Sequence, residues 1–550
     1  MTCLAQLSAA GENRLGWIPL VVLVIYLLVL LLIGWIGYRQ SRGSEEDYYL
    51  AGRGQGWMIS SLTIMATFLS SFALLGAPGM VYREGVVFAL VSLNVPVAGF
   101  CIYLFGRRIW QAGHQRGYIT QADMLCDHYG SQIVLRLLVT LVGFLFSIPY
   151  VIMQLKAGGD LAAVLFASHE YAFEVGAVVL AAITAIYIMI GGMRSVAWTD
   201  ALQCVLLVAG MLLAGVAMVA SLGGLNGFRS AVAGLPASSL TVPGNTGFWT
   251  LPMLFSVCVL MPIGGIIQPA QWMRFYAARN SDALRKSALI FIVLLTGCYM
   301  FGIMLVGLGA QALYPLRFTA EGVLPAATVG SYDQILVVVL RDRLPDLLGP
   351  TAGMAVSSLM IVAIMAAAMS TADSNLHALS ALATRDLYDR FLRPRASERE
   401  RIWVGRFVIL AATAFSLLLV LVGHQSGSSL TGFMQMIVGL ALFAVAFSVQ
   451  LLPMTLDVLF IRRGKALGAC AGLAVGLVVA FLFTSLFPPL VSWTGTALQP
   501  VLSAVQSAQQ ILPVHASAWG LLANVLVFAG LGWLPCAKAR GMGNSNRKGE

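Results

Sequence analysis

The chain has 550 residues, of which 59% are hydrophobic and only 10% charged; its mean hydropathy is +0.86 and its formal net charge +10. That balance excludes an ordinary soluble domain and reads as an all-α polytopic membrane protein. The eight cysteines are scattered without a C-x-x-C pair, so neither a disulfide framework nor a zinc site is expected.

Hydropathy predicts thirteen spans, at about 17–38, 56–80, 86–106, 137–166, 173–192, 198–222, 250–273, 287–312, 352–382, 404–423, 429–461, 466–487 and 516–537. The first run, from Trp17 to Tyr38, is too long for a cleavable signal and lacks a basic n-region. An odd count puts the termini on opposite sides. With the N-terminus outside, 26 of the 33 Lys and Arg residues face the cytoplasm and Lys156 lies in a span. Only Arg14, Arg83, Arg229, Arg317, Arg341 and Arg343 fall outside. The reverse orientation violates the positive-inside rule at nearly every loop. The positive charge is therefore read as topology, not as nucleic-acid binding. The expectation is one transmembrane domain over 1–537 in the plasma membrane and a short, basic, disordered cytoplasmic tail, 538–550. In the outer loop 313–351, Tyr332 to Leu347 is expected as a short amphipathic helix over the mouth.

The second span carries small and hydroxylated residues from Ala66 to Ser71, then Gly76, Pro78 and Gly79. This composition suits either a packing face with a kink or a broken transport helix whose freed carbonyls face a cavity. In the fourth span Tyr150 and Gln154 share a helix face, as do Lys156 and Asp160. A charge at membrane depth costs roughly 2.5–3.5 kcal/mol, so Lys156 and Asp160 either pair with each other or serve a solute; Lys156 would attract a carboxylate. Asp200 follows Gly191-Gly192 at the inner start of the sixth span, where it caps a helix or provides an acidic way-station for a departing cation.

The seventh span contains Met261-Pro-Ile-Gly-Gly-Ile-Ile-Gln-Pro-Ala270, in which two prolines and two glycines cannot sustain an unbroken helix. Spans two and seven run in opposite directions. Paired interruptions in two inverted halves, about 56–222 and 250–461, point to a secondary transporter's binding site. The ninth span holds Ala363-Ile-Met-Ala-Ala-Ala-Met-Ser-Thr-Ala-Asp-Ser-Asn375. The hydroxyls of Ser370 and Thr371 with the carbonyl of Ala367 form a cluster of hard oxygen donors suited to Na⁺, with Asp373 just beyond. The plainer alternative is an ordinary hydroxyl bond to a carbonyl one turn earlier.

Several motifs stand in order over roughly 35–465: Leu50-Ala-Gly-Arg53 with Gly76-Ala-Pro-Gly79, Trp198-Thr-Asp200, Gln268-Pro269 followed by Arg274-Phe-Tyr-Ala-Ala278, Met369-Ser-Thr371 and Thr384-Arg-Asp-Leu-Tyr388. Together they resemble the sodium:solute symporter family, in its sodium/pantothenate and sodium/proline branch. The resemblance implies a LeuT-like five-plus-five inverted repeat with one extra N-terminal and two extra C-terminal helices. It implies a sodium site at Ala66, Leu69, Ala367, Ser370 and Thr371, and a role for Asp200 in the sodium pathway. By alignment with the proline transporters, Ser70, Tyr150 and Met261 fall near the substrate; Gln154 and Gly264 join them as candidates. Phe68 stands where those transporters carry an aspartate and Met261 where they carry a tryptophan, which argues against proline.

The reading is Na⁺-driven import of a small organic solute, organic-acid or amino-acid-like, with Na⁺ as coupling ion, no cofactor and no nucleic-acid partner. The alternatives are a proton-coupled symporter of the same fold, with Asp373 as carrier, and a transporter-like membrane sensor. No H-E-x-x-H, P-loop or nucleophile elbow suggests an enzyme.

Overall fold

The computed structural model describes residues 18–532, except 41–42, 131, 167–168, 321 and 425–436. The predicted tail 538–550, Cys3, Cys536 and parts of the eleventh and thirteenth predicted spans lie outside the described residues. The helical segments include α1 (Ile18–Arg39), α2 (Trp57–Phe68), α3 (Ala77–Glu84), α4 (Asn94–Arg116), α5 (Ile133–Leu165), α6 (Ala172–Ser221), α7 (Leu251–Ile266), α8 (Pro269–Ala277), α9 (Ser281–Cys298), α10 (Met304–Leu313), α11 (Ile335–Leu348), α12 (Pro350–Ala381), α13 (Glu398–His424), α14 (Ile437–Ser448), α15 (Ala466–Leu482) and α16 (Ala516–Gly532).

Among the described residues, eight helices are long and apolar enough to cross a membrane, or up to eleven if each bent pair is one span. Two of the expected thirteen do not register separately in that count. The predicted fifth and sixth spans fall in one 50-residue stretch, α6, which is two helices meeting at Gly192, where φ is 59° and ψ −167°. A side chain there would be strained, so glycine is what lets α6 change direction. The predicted twelfth span is α15, only 17 residues long. It packs on α16 through a glycine seam: a methyl on Gly468 would lie 2.7 Å from the Gly532 backbone.

Burial separates centre from periphery. The apolar window of α12 is 72% buried, that of α1 only 22%. Leu28, Leu32 and Trp35 of α1 point outward, as a lipid-facing surface requires. α12 packs against α2, α5, α6, α11 and α13, so its small residues let several backbones approach it. In the outer loop a short hairpin pairs β1 (Arg317–Thr319) with β2 (Gly322–Leu324). The helix expected there is present as α11, preceded by one 3-10 turn, Tyr332–Gln334; its first turns, Ile335 to Leu340, are buried.

Candidate functional site

Two breaks organise the centre. α2 and the helix 72–84 form one span bent by 56°, and α7 and α8 form another bent by 51°. The second break falls at Ile267–Gln268, before Pro269, which lacks the N–H that a continuous helix needs. Gln268 caps α8, its side chain accepting from the Ala270 N–H at 2.7 Å. Pro262 stays inside α7, so the second proline of the motif makes the break.

The first break lies elsewhere than the Gly76–Gly79 cluster suggests. The chain unwinds at Leu69, whose ψ is 95°. It resumes through a π-helical turn, Phe72–Gly76, and Pro78 sits harmlessly in the first turn of α3. Side chains cap the new start. Ser70 Oγ accepts from the Phe72 N–H at 3.1 Å, and Gln154 Oε1 of α5 accepts from the Ser71 N–H at 3.0 Å.

The unwinding leaves the Ala66 carbonyl at the end of the α2 ladder, where α12 reaches it. Ser370 Oγ donates to Ala66 O at 3.2 Å and lies 3.1 Å from Ala367 O. Thr371 Oγ1 lies 3.4 Å from Ala66 O. Four of the five predicted sodium ligands thus share one buried spot, and Leu69 lies on the unwound segment beside them.

Beneath this spot runs a buried polar network that sequence reading resolved only in part. Asp200 Oδ2 accepts from Arg274 Nη2 at 2.8 Å and from Thr63 Oγ1 at 2.5 Å. Arg274 also donates to Ser374 Oγ at 2.5 Å, to Ala270 O at 3.0 Å and to Thr63 O at 3.2 Å. Ser374 and Thr67 hydroxyls are 3.0 Å apart. Asp200 therefore does not cap a helix: it sits two turns past the Gly192 bend, and α8 supplies its partner. Arg274, read from sequence as a cytoplasmic loop charge, is 1% exposed. Asp373, on another face of α12, accepts from the Tyr187 hydroxyl.

The predicted solute residues are all buried. Tyr150 stacks on Phe146 at a centroid distance of 4.4 Å, and Gln154 Nε2 donates to Tyr150 O at 3.0 Å. Met261 is 8% exposed. Gly264 faces neighbouring protein: a Cβ there would meet Ser448 Oγ at 2.8 Å and Val445 at 2.9 Å. Phe68 packs edge-on against Phe291, and a Cβ on Gly265 would touch its ring at 3.2 Å. Lys156 is fully engaged, with Asp160 at 2.5 Å and Asp333 of the outer loop at 3.0 Å. Asp333 also accepts from the Ile437 N–H, the first residue of α14, at 2.9 Å.

Known proteins resemble this chain in sequence and in fold. Over 479 residues the chain is 27% identical to a sodium/proline symporter of Haemophilus influenzae, covering 86% of this chain and 90% of that one. It is 25% identical over 469 residues to a sodium/proline symporter of Escherichia coli, covering 84% and 87%. Its fold matches that of a Na⁺-coupled sialic acid symporter in a substrate-bound outward-open state, with a TM-score of 0.71 at 20% identity, over 94% of this chain and 97% of that one. The LeuT-like helical architecture implied by the motifs is borne out by that likeness. Broken spans, a small-residue central helix and apolar helices of bilayer length make this an integral membrane protein. Residues 48–476 match the sodium:solute symporter family, and with that match over most of its length the chain belongs to this family.

Proposed function

We propose that the protein is a secondary active transporter of the plasma membrane that couples entry of Na⁺ to import of a small organic solute, organic-acid or amino-acid-like. One observation carries the reading: the hydroxyls of Ser370 and Thr371 converge on the Ala66 carbonyl where α2 unwinds. Two hydroxyls and the carbonyls of Ala66, Ala367 and Leu69 offer five oxygens to a dehydrated alkali ion. When the ion enters, the hydroxyl protons turn away from the carbonyls and their lone pairs turn in. The ion then bridges α2 and α12, and an inside-negative potential contributes about 2.3 kcal/mol per charge per 100 mV to its entry. The names of the relatives, sodium/proline and Na⁺-coupled sialic acid symporters, support the same coupling ion.

On the solute side, Ser70, Tyr150, Gln154 and Met261 flank the break. A solute carboxylate replaces Gln154 Oε1 and Ser70 Oγ as acceptor for the Ser71 and Phe72 N–H groups, at the positive end of the resumed helix. Phe68 and Met261 make this wall more apolar than a proline carrier's. Gly264 acts only by letting α14 approach α7. Lys156 with Asp333 holds the outer loop shut over the path. The inverted halves 56–222 and 250–461 rock around the ion, with the N-terminus outside, the C-terminus inside and Asp200 on the inward path.

Ser370→Ala with Thr371→Ala is expected to abolish Na⁺-stimulated uptake in proteoliposomes while membrane insertion stays normal. Uptake that persists with unchanged Na⁺ affinity rejects the site. A proton-driven carrier would use Asp373, whose buried Oδ1 has no hydrogen-bond partner among the described residues. Uptake that survives replacement of Na⁺ by choline and rises at low external pH would favour that reading.

A further inference from the structure

Away from this site, the cytoplasmic end of α4, the helix Gln121–His128 and the segment 458–462 border an open cavity of about 740 Å³. Four arginines line it: Arg107, Arg108 and Arg116 from α4, and Arg462 from that segment. The lining carboxylate, Asp127, is already taken, because Arg116 and the Tyr118 hydroxyl both donate to its Oδ2. Among the described residues no carboxylate pairs with Arg107, Arg108 or Arg462. Nearby Asp457 is committed to Tyr129 at 2.8 Å, His128 at 3.5 Å and the Gly464 N–H at 2.9 Å.

Two of these cations are held by local contacts. Arg108 Nη1 donates to Leu459 O at 2.6 Å, and its guanidinium lies 4.1 Å from the centre of the Phe460 ring. Arg462 takes a left-handed backbone, φ 56° and ψ 37°, rare for a side chain of its size, with its N–H donating to Asp457 O at 2.7 Å. The result is three guanidinium groups without counter-charge around a space of small-molecule size. Guanidinium forks match phosphate oxygens in paired hydrogen bonds. One and two turns from Arg107 on the same face of α4, Tyr103 and Phe100 are exposed, an apolar track leading away from the cavity into the bilayer.

We propose that this cavity binds a phosphate-bearing anion at the inner membrane surface. The headgroup of an anionic phospholipid and a soluble phosphate compound present the same chemistry to it. The occupant bears on transport through helix 121–128. Met124, Asp127 and His128 of that helix line the cavity, while its Gln121 donates to Ile267 O at the α7 break. Filling the cavity braces the inner end of that break.

The test is the melting temperature of the purified full-length protein at constant ionic strength. Phosphatidylcholine nanodiscs are compared with nanodiscs containing phosphatidylglycerol, and with phosphatidylcholine nanodiscs given pyrophosphate. Stabilisation by phosphatidylglycerol alone assigns a lipid headgroup; by pyrophosphate alone, a soluble phosphate; by both, a site open to either source. In Arg107→Gln with Arg462→Gln the apparent affinity falls about tenfold or more for each arginine. Arg107→Gln alone serves if the pair does not fold. Arg395→Gln with Arg399→Gln, exposed near the start of α13 and away from both the cavity and the apolar track, retains the stabilisation. No stabilisation by either probe, or equal stabilisation of the native protein and the Arg107 and Arg462 variants, overturns the proposal. The readout involves no uptake, so its failure is distinct from failure of the transport reading.

Discussion

Asp200 and Arg274 are 74 positions apart and almost wholly buried, 0% and 1% exposed. Breaking a buried ion pair from one side strands the other charge, which costs about 3–5 kcal/mol, while removing both is far milder. Asp200→Asn and Arg274→Gln are each expected to lower the melting temperature strongly, and the double variant to recover part of the loss. Effects that simply add in this cycle would mean the two groups are energetically independent. From sequence, Asp200 was legible as a residue of consequence but not its partner. Arg274 stands at the cytoplasmic end of a predicted span, where a lone arginine reads as topology. Only the fold of α8 back against α2 and α12 turns it inward. Ser370 and Thr371 are ambiguous on their own, because hydroxyls in membrane helices commonly bond a carbonyl one turn earlier, as Ser370 does with Ala367 O at 3.1 Å.

At the scale of elements, one break was legible in its neighbourhood and the other only in existence. Prolines place the α7–α8 break within Met261–Ala270, but Pro262 also lacks a backbone donor and stays inside α7, so composition does not choose between the two. The α2 break has no proline at its centre. It is held by Ser70 and by Gln154, which reaches the Ser71 N–H from 83 residues away. A long-range cap of that kind leaves no local pattern to read. Gln154→Leu removes the acceptor and leaves a buried amide unpaired, at a cost of about 1–3 kcal/mol. Hydrogen–deuterium exchange over residues 69–76 is expected to accelerate, and Na⁺-dependent thermal stabilisation to weaken with it. Unchanged exchange would show that the π-helical turn holds the break without Gln154.

At the scale of the molecule, the arginine-rich loops on one side are tied by acidic groups that meet the excess of arginine there. Glu45 accepts from Arg401 at 2.8 Å and Arg385 at 3.3 Å, and Asp386 lies 2.5 Å from Arg136. On the other side, the outer loop is held by Lys156 and Asp333 and by close backbone contact: a methyl on Gly79 would lie 2.6 Å from the Tyr332 carbonyl. At Gly192 hydropathy alone cannot tell a bend from a loop between two helices, so the junction of the predicted fifth and sixth spans was legible but its form was not. Positive-inside bias depends only on loop charge, so it still predicts an outside N-terminus and an inside C-terminus. Single cysteines in a cysteine-free background test this in intact cells with a membrane-impermeant thiol reagent. Arg317→Cys, exposed on the outer hairpin, is expected to label, while Arg395→Cys, exposed between α12 and α13, labels only after the cells are opened. The reverse pattern would invert the molecule in the membrane, put the arginine-lined cavity on the outer leaflet and make the Asp200 side of the network face outward.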